Sequence, residues 1–409
     1  MRKSIMLCAA VAAMVLSSCS QSNENVSGEE GEKASFMVKL ALQDANGTTR
    51  AAAQSTAIPA TSWSNIKQVQ LFLYDASNNI RFSDIITPSG SNTSFTYADV
   101  PVGTYTIVAV ANAKSSTDAI TTYIDGGATA AEWTMWNVRQ KQAQQMVLKH
   151  KGSSFPAFCA AAMAGKSAFA EPSEIFMGSV VNVQVTASGT VTAPQITLKR
   201  EVSLMRVRLN VAESDGTDNT STGAQGVDFT QDASVMLYRL PDNMNIQAGN
   251  VGGVSSTSSV NNILTVTGND VFKTADPTAG YAPTTILGGN FSMWRDVVVF
   301  PNNGGRANNS ATTGAASAQQ QYFIVISAKG KAGHILGDGT TLPAAATVYW
   351  SGLVKENFVP NVIREVNLTL RTGGTTDVPT NPTEYGGLTI TVGTPAAWDS
   401  NIVASDIIL

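Results

Sequence analysis

A strict alternation of apolar and polar side chains across residues 35–42 is the feature that most constrains the fold of this chain. Four side chains share the apolar side of the segment: Phe36, Val38, Leu40 and Leu42. A period of two residues is that of a β-strand with one buried face. We therefore predict a half-buried strand here, whose apolar side needs a core to pack against.

The residues before this strand have the organisation of a bacterial lipoprotein signal. Two basic residues open the chain, a short apolar run covers residues 5–15, and a lipobox at residues 16–19 ends in Cys19. The apolar run is too short to span a bilayer. We predict residues 1–18 to be the signal peptide and Cys19 to be lipidated. The alternative is an ordinary secretory signal with an incidental cysteine.

A lone arginine lies in the segment that follows the strand. Residues 44–54 contain an Asn-Gly pair and many small residues, which predict an exposed loop of the kind that proteases cleave. Arg50 is the only arginine between Arg2 and Arg81. Spacing alone favours a solvated linker arginine. The functional interpretation is cleavage between Arg50 and Ala51, with residues 19–50 as a propeptide that carries a removable first strand.

The rest of the chain has the composition of an all-β secreted protein. Of 409 residues, 14% are charged and the formal net charge is −4, so no basic surface offers itself to nucleic acid. Turn-forming sequences separate strand-like segments such as Val69–Tyr74 and residues 80–86. We predict two domains built of β-strands at residues 51–198 and 199–375, with residues 376–409 as a C-terminal linker and strand appendix.

Two longer segments complete this prediction. Residues 196–211 form one long extended run, whereas residues 129–150 have apolar side chains at helical intervals and predict a minor helix. The tryptophans of that helix, Trp133 and Trp136, are interpreted as core anchors. Together with Trp294 they could alternatively form a stacking platform for a glycan, which requires all three to share an exposed face.

Motifs for catalysis or metal binding are lacking. The two histidines have no metal-ligand spacing, and the carboxylates are too scattered to pair as general acid and base. Residues 215–219 resemble part of a calcium loop but lack its later ligands. Cys159 has no partner within the chain once Cys8 leaves with the signal and Cys19 is lipidated. We predict no enzyme, no cofactor and no metal site.

The C-terminal region returns to strand patterns after a linker-like composition at residues 372–382. Residues 388–392 alternate, and in residues 401–409 the side chains of Val403, Ile407 and Leu409 share one side. The simpler interpretation is that these are the last strands of the second domain. The functional one is that such a strand fills the groove vacated by residues 35–42 in a neighbouring copy, which propagates a filament because the contact does not close.

The order of these motifs resembles that of the fimbrillins, the lipoprotein-derived subunits of the type V pili of Bacteroidales. The resemblance covers nearly the whole chain and rests on the lipobox and on several degenerate segments, at residues 69–75, 100–112, 163–165, 196–207, 361–370 and 388–392, the last followed by Trp398.

The resemblance implies two β-sandwich domains of transthyretin-like or Greek-key type, and export as a lipoprotein to the outer membrane and cell surface. It also implies cleavage at Arg50–Ala51 by an arginine-specific surface protease. The removed strand is then replaced by the C-terminal strand of another subunit. Expected partners are further copies of the chain, anchor and tip subunits of the fimbria, and a host or bacterial surface receptor. Residues 401–409 are favoured as the donor, and residues 388–392 remain the other candidate.

Three functional hypotheses are consistent with these patterns. The favoured one is a structural shaft pilin that polymerises into fimbriae for adhesion and biofilm growth. The second is a tip or accessory adhesin of the same fimbriae, which would need no donor strand at the tip. The third is a glycan-binding surface lipoprotein that uses the tryptophan platform.

Overall fold

The computed structural model of the chain describes these residues: 31–42, 66–88, 93–113, 121–125, 146–211, 226–246, 251–255, 258–268, 270–276, 287, 291–302, 320–381, 385–386, 388–392 and 396–397. All regular secondary structure in these residues is β-strand, and none of them forms a helix long and apolar enough to cross a membrane. The fold is all-β, as predicted.

The strands are β1 (Lys33–Leu42), β2 (Val69–Tyr74), β3 (Ile80–Ile86), β4 (Ser94–Pro101), β5 (Gly103–Ala111), β6 (Thr122–Asp125), β7 (Val147–His150), β8 (Ser167–Phe169), β9 (Phe176–Val185), β10 (Thr190–Thr192), β11 (Ile196–Arg200), β12 (Ser203–Asn210), β13 (Val227–Asp228), β14 (Ser234–Pro241), β15 (Met244–Asn245), β16 (Ser258–Thr267), β17 (Met293–Val299), β18 (Tyr322–Gly330), β19 (Ala346–Val354), β20 (Val362–Leu370), β21 (Tyr385–Gly386), β22 (Leu388–Val392) and β23 (Ala396–Ala397).

An eight-stranded sheet, here called the first sheet, contains most of the N-terminal half. Its order is β10-β1-β11-β9-β5-β2-β3, and β4 also pairs with β1. Every residue of β2 is buried, because the middle of the sheet is covered on both faces. The strands predicted at residues 69–74 and 80–86 are present as β2 and β3, and β4, the next strand along the chain, pairs with β1.

The C-terminal half is a β-sandwich of two packed sheets. The order of one is β17-β12-β20-β22, with β23 also on β20. The order of the other is β21-β19-β18-β14-β16-β8, with β13 on β18. Apolar side chains from both inner faces fill the space between them, among them Val207, Ile324, Trp350 and Leu368. Such interdigitation of two inner faces is what makes a β-sandwich stable.

The extended run predicted at residues 196–211 is divided into two strands of different sheets. β11 belongs to the first sheet, and β12 belongs to the sandwich. Between them, the Glu201 amide donates to the Ile175 carbonyl at 2.9 Å, and the Val202 carbonyl accepts from the Asn361 amide at 2.9 Å. The prediction of a single strand is therefore wrong, because these two residues bond to different layers.

A junction core joins the first sheet to the sandwich. It lies on the face of β2, β5 and β9 that points away from the buried side chains of β1. That face packs against a three-stranded sheet of order β15-β7-β6 and against one end of the sandwich. Representative members are Tyr74, Val108, Leu148, Leu204 and Phe300. The predicted domain division near residue 199 stays a prediction. β7 and β8 precede that residue, yet they pair with β15 and β16, which follow it.

The helix predicted over residues 129–150 is wrong at its C-terminal end. Residues 147–150 are β7, in register with β6. Leu148 and His150 are buried while Val147 and Lys149 are half-buried, which is the alternation of a strand rather than a helical stripe. Residues 126–145, including Trp133 and Trp136, lie outside the described residues.

Candidate functional site: the groove around the first strand

β1 is enclosed by other strands along both of its edges. On one edge it pairs antiparallel with β4, where Val38 faces Phe95. On the other edge it pairs in parallel with β10 and then with β11, where Leu40 faces Ile196. The Leu40 amide donates to the Thr93 carbonyl at 2.8 Å. β1 is therefore an interior strand, and its position is a groove with two hydrogen-bonding walls.

The apolar side of β1 fills the core of the first sheet. Phe36 and Val38 are completely buried, Leu40 is 1% exposed, and Leu42 is only half-buried at the end of the strand. Ala34, which the sequence pattern did not single out, is 4% exposed and extends the same two-residue period toward the N-terminus. A small alanine does not stand out as apolar among its neighbours, so the buried side of the strand begins earlier than the pattern indicates.

The walls of the groove depend on β1 for their own pairing. Within the described residues, β4 and β10 form ladders only with β1. Loss of β1 would leave the edges of β4, β10 and part of β11 with unpaired backbone N–H and C=O groups, beside an uncovered apolar core. Unpaired strand edges are templates for another strand. The geometry is therefore that of an acceptor for an extended apolar segment.

A close approach of two strands shapes one wall. A Cβ atom on Gly178 of β9 would overlap the carbonyl oxygen of Thr197 in β11, and would also press on the Ile196 side chain at 2.8 Å. Only a glycine lets β11 come near enough to β9 while it pairs with β1. The only sequence signal for this residue is a glycine inside a strand-like apolar run, and it was not among the predicted site residues.

The interior of the groove is apolar and holds hydroxyl groups at its rim. The Tyr105 hydroxyl donates to the Pro101 carbonyl at 2.8 Å, and burial raises its pKa. Burial also raises the pKa of Tyr97, and Asp84 adds to the shift. Both phenols stay neutral at physiological pH. The charged side chains of β1, Lys33 and Lys39, point to solvent. A replacement strand for this groove must be apolar on one side.

The remaining predicted site residues are distributed as follows. Cys19, Arg50, Ala51, Val403, Ile407 and Leu409 lie outside the described residues. Trp294 is 5% exposed, and its indole Nε1 donates to the Ala275 carbonyl at 2.8 Å. The three-tryptophan glycan platform is therefore wrong, because Trp294 offers no exposed face. The described residues also contain no group of three or more His, Cys, Asp or Glu side chains able to hold a metal ion.

The other donor candidate, β22, is paired within its own chain. It lies antiparallel on β20, where Ile390 faces Leu368. The half-buried side chains of Ile390 and Val392 pack against the sandwich core. β22 lies at the end of its sheet, and the path of that sheet gives it no second neighbour among the described strands. Its removal would uncover one edge of β20.

A family model for fimbrillin-A associated anchor proteins Mfa1 and Mfa2 matches residues 35–329. No curated protein matches the chain. A solved structure of a Bacteroides eggerthii protein, described as a cell adhesion protein, is 14% identical over 90% of this chain and 97% of that one, with a TM-score of 0.46. A fimbrilin of Porphyromonas gingivalis is 14% identical over 88% and 96%, with a TM-score of 0.40. A Bacteroides thetaiotaomicron structure described as polysaccharide binding is 12% identical over 84% and 94%, with a TM-score of 0.41.

Proposed function

Because this chain belongs to the family of fimbrillin-A associated anchor proteins Mfa1 and Mfa2, we propose that it is a structural subunit that polymerises into surface fimbriae. Membership places it among fimbrial and adhesin-type proteins of the cell surface. The finer proposal is a shaft subunit, exported as a lipoprotein on Cys19 and matured by cleavage after Arg50, whose first strand is replaced by a strand of another copy. A structural role of this kind requires no catalysis.

The observation that carries the proposal is the position of β1. It is an interior strand, its apolar side is buried, and it lies within ten residues of Arg50 in the sequence. A strand at the end of the chain, next to a cleavable loop, is one that a single cut can release. The groove it leaves then recruits a strand by β-augmentation, in which main-chain hydrogen bonds give affinity and alternate side chains give specificity.

Residues 401–409 are the proposed donor. Val403, Ile407 and Leu409 supply apolar side chains with the period that the groove requires. The alternative donor, β22, already satisfies an edge of its own sandwich, and its departure would expose β20 and part of the core. Donation by residues 401–409 carries no such cost to the described part of the sandwich.

Substitution of the cleavage residue tests the maturation step. Arg50→Ala should leave the precursor folded but block its conversion to fimbriae, because β1 stays covalently in place. The matched control is Gln54→Ala in the same loop, which should mature normally. N-terminal sequencing of the surface form should give Ala51 in the control. Ladders of SDS-resistant oligomers that persist in Arg50→Ala would contradict the proposal.

A disulfide distinguishes the two donor candidates. Thr369 of β20 and Thr389 of β22 are direct cross-strand partners, at a spacing compatible with a disulfide. The double variant Thr369→Cys, Thr389→Cys should polymerise equally well oxidised and reduced if residues 401–409 are the donor. Polymerisation only under reducing conditions would identify β22 instead. The buried native Cys159 should not interfere.

A second candidate function is an accessory subunit at the anchor or tip of a fimbria. It is favoured by the description of the matching family, which names anchor proteins. Immunogold labelling separates the two roles. Regular labelling along the fibre indicates a shaft subunit, whereas labelling confined to one end indicates an anchor or tip.

A further inference from the structure

Residues 372–381, here called the strap, differ from the flexible linker that their composition predicts. They follow β20 directly and lie against the sandwich. Gly373 and Gly374 are buried, and Val378 packs on a cluster on the outer face of the sheet that contains β14, β18 and β19. The strap is therefore part of the folded sandwich.

Hydrogen bonds from three separate elements hold the strap. Three consecutive carbonyl groups accept bonds from the sandwich: Thr372 from Trp350 Nε1 (2.8 Å), Gly373 from His334 Nε2 (2.7 Å) and Gly374 from the Gly337 amide (2.8 Å). Next along the chain, the backbones of Thr375 and Tyr349 exchange two bonds, of 2.8 and 3.0 Å. Further on, the Tyr238 hydroxyl donates to the Pro379 carbonyl at 2.8 Å.

The glycine pair explains the misleading composition. A Cβ atom on Gly373 would overlap the carbonyl oxygen of Ile335, and Gly374 has a φ of +76° with Trp350 and the Tyr349 carbonyl beside its Cα. Both positions require glycine because the backbone is packed closely, not because the chain is free. The two glycines thus mark a docking point.

The segment beyond the strap is held differently. β21 contributes a single pair, Tyr385 with Gly352 of β19, at the end of its sheet. β22 and β23 pair only with β20, as edge strands, within the described residues. An edge strand pulled from its far end opens one residue pair at a time. The strap cannot open in this stepwise manner, because its bonds come from three places: β19, β14 and the loop that contains His334 and Gly337.

We propose that the strap is a mechanical anchor for the C-terminal end of the chain. A pull on that end peels residues 382–397 from the sandwich, and the peeling stops at residue 381. The strap and the sandwich therefore stay joined under the pull. The inference rests on the proposed assembly, in which residues 401–409 carry tension from the neighbouring subunit. It identifies the strap as the part that transmits this tension to the sandwich.

Single-molecule stretching of the mature chain tests this directly. One handle is attached at the C-terminus and the other at a cysteine introduced at the exposed Asp270. In the first event the wild type should release about 55 Å, the extended length of residues 382–397. A second event should follow at higher force. A single low-force release of about 90 Å, which corresponds to residues 372–397, would overturn the proposal.

Two variants locate the stop at the strap. Gly373→Ala should undock it, so that the first release lengthens to about 90 Å. Gly152→Ala is the matched control, because a Cβ atom there meets nothing within 4 Å and the wild-type pattern should persist. Where Gly373→Ala fails to fold, Tyr238→Phe removes the bond to Pro379, together with a longer contact of 3.8 Å between the hydroxyl and Met163 Sδ, and should lower the force of the second event. An unchanged second event in Tyr238→Phe would then overturn the proposal.

The stretching experiment uses monomers and is independent of polymerisation. Two-step release from a chain that forms no fimbriae would support the anchor and reject the proposed assembly. Fimbriae built from a chain that releases in one step would support the proposed assembly and reject the anchor.

Discussion

The two faces of the first sheet are buried against different partners. One face packs on the core that β1 completes, with Phe36 at its centre. The other face packs on the junction core, with Leu148 and Phe300 among its members and no contribution from β1. Removal of β1 would uncover the first face and leave the second intact.

In the proposed assembly, this difference would keep one face of the sheet covered after β1 is removed. The junction core holds β2, β5 and β9 from behind, and the contacts of Arg200 attach the end of β11 to the sandwich. The Arg200 guanidinium donates to Glu174 at 2.8 Å and to the Asn361 side chain at 2.7 Å, and its Cζ lies 5.1 Å from the centre of the Phe176 ring. The first sheet is thus attached to the sandwich at the end where its groove walls begin.

The largest expected effect tests the face that β1 completes. Phe36→Ala should lower the free energy of unfolding of the precursor by about 4 kcal/mol, because it empties a fully buried site. The cleaved, mature protein should be unaffected, since residue 36 has left. Urea denaturation of both forms measures this. Met37→Ala, on the half-buried opposite side, is the control and should cost under about 1 kcal/mol.

An equal loss of stability in the precursor and mature forms of Phe36→Ala would show that β1 stays attached after processing. The two faces of the first sheet would then not differ, because both would stay covered in the mature protein.

The second effect tests the attachment of β11 to the sandwich through Arg200. Arg200→Met should destabilise precursor and mature protein alike by about 3 kcal/mol, because it removes the ion pair between the buried guanidinium and the largely buried Glu174 carboxylate. Arg81→Met is the control, since it removes an exposed ion pair with Asp75 and should cost under about 1 kcal/mol. Thermal denaturation of both forms compares them. A loss restricted to the precursor would mean that the Arg200 contacts depend on β1.

Sequence patterns predicted strands better than they predicted strand partners. β2 and β3 have the predicted bounds, and the period of β1 correctly indicates its buried side. A two-residue period does not say which edge a strand joins, because ladder hydrogen bonds involve only the backbone. The period could therefore not predict that β4 pairs with β1 or that residues 196–211 are divided between two sheets.

The other errors have a common physical origin in tertiary contacts. In residues 147–150, pairing with β6 and β15 outweighs a helical spacing of apolar residues. In the strap, glycines that suggest freedom are required by close packing at Ile335 and Trp350. The buried side of β1 was predictable from its period, whereas the dependence of the neighbouring wall on Gly178 needed the observed approach of β9 and β11.

A lower pH should destabilise the protein through the junction core. His150 lies in that region, its ring centre 4.0 Å from that of Phe300, and burial lowers its pKa to about 3. The unfolded chain binds a proton near pH 6.5, so this contribution to stability is complete above that pH and is lost as the pH falls toward 3. At pH 5 the loss is about 2 kcal/mol.

Urea denaturation at pH 7 and pH 5 measures that loss, and His150→Phe serves as the reference without a titrating group. The wild type should lose about 2 kcal/mol more than the variant between the two pH values, in the mature form as well as in the precursor. Equal losses in wild type and variant would mean that His150 is protonated in the native state.

The smallest effect defines where the groove ends. Leu42 shares a side with Leu40 in the sequence, but it is half-buried at the junction end of β1, whereas Leu40 is 1% exposed. Leu42→Ala should therefore cost the precursor about 1 kcal/mol, against about 3 kcal/mol for Leu40→Ala. Urea denaturation of the two precursors gives the ratio. Equal costs would extend the apolar groove to Leu42, and a replacement strand would then have to fill four large apolar sites instead of three.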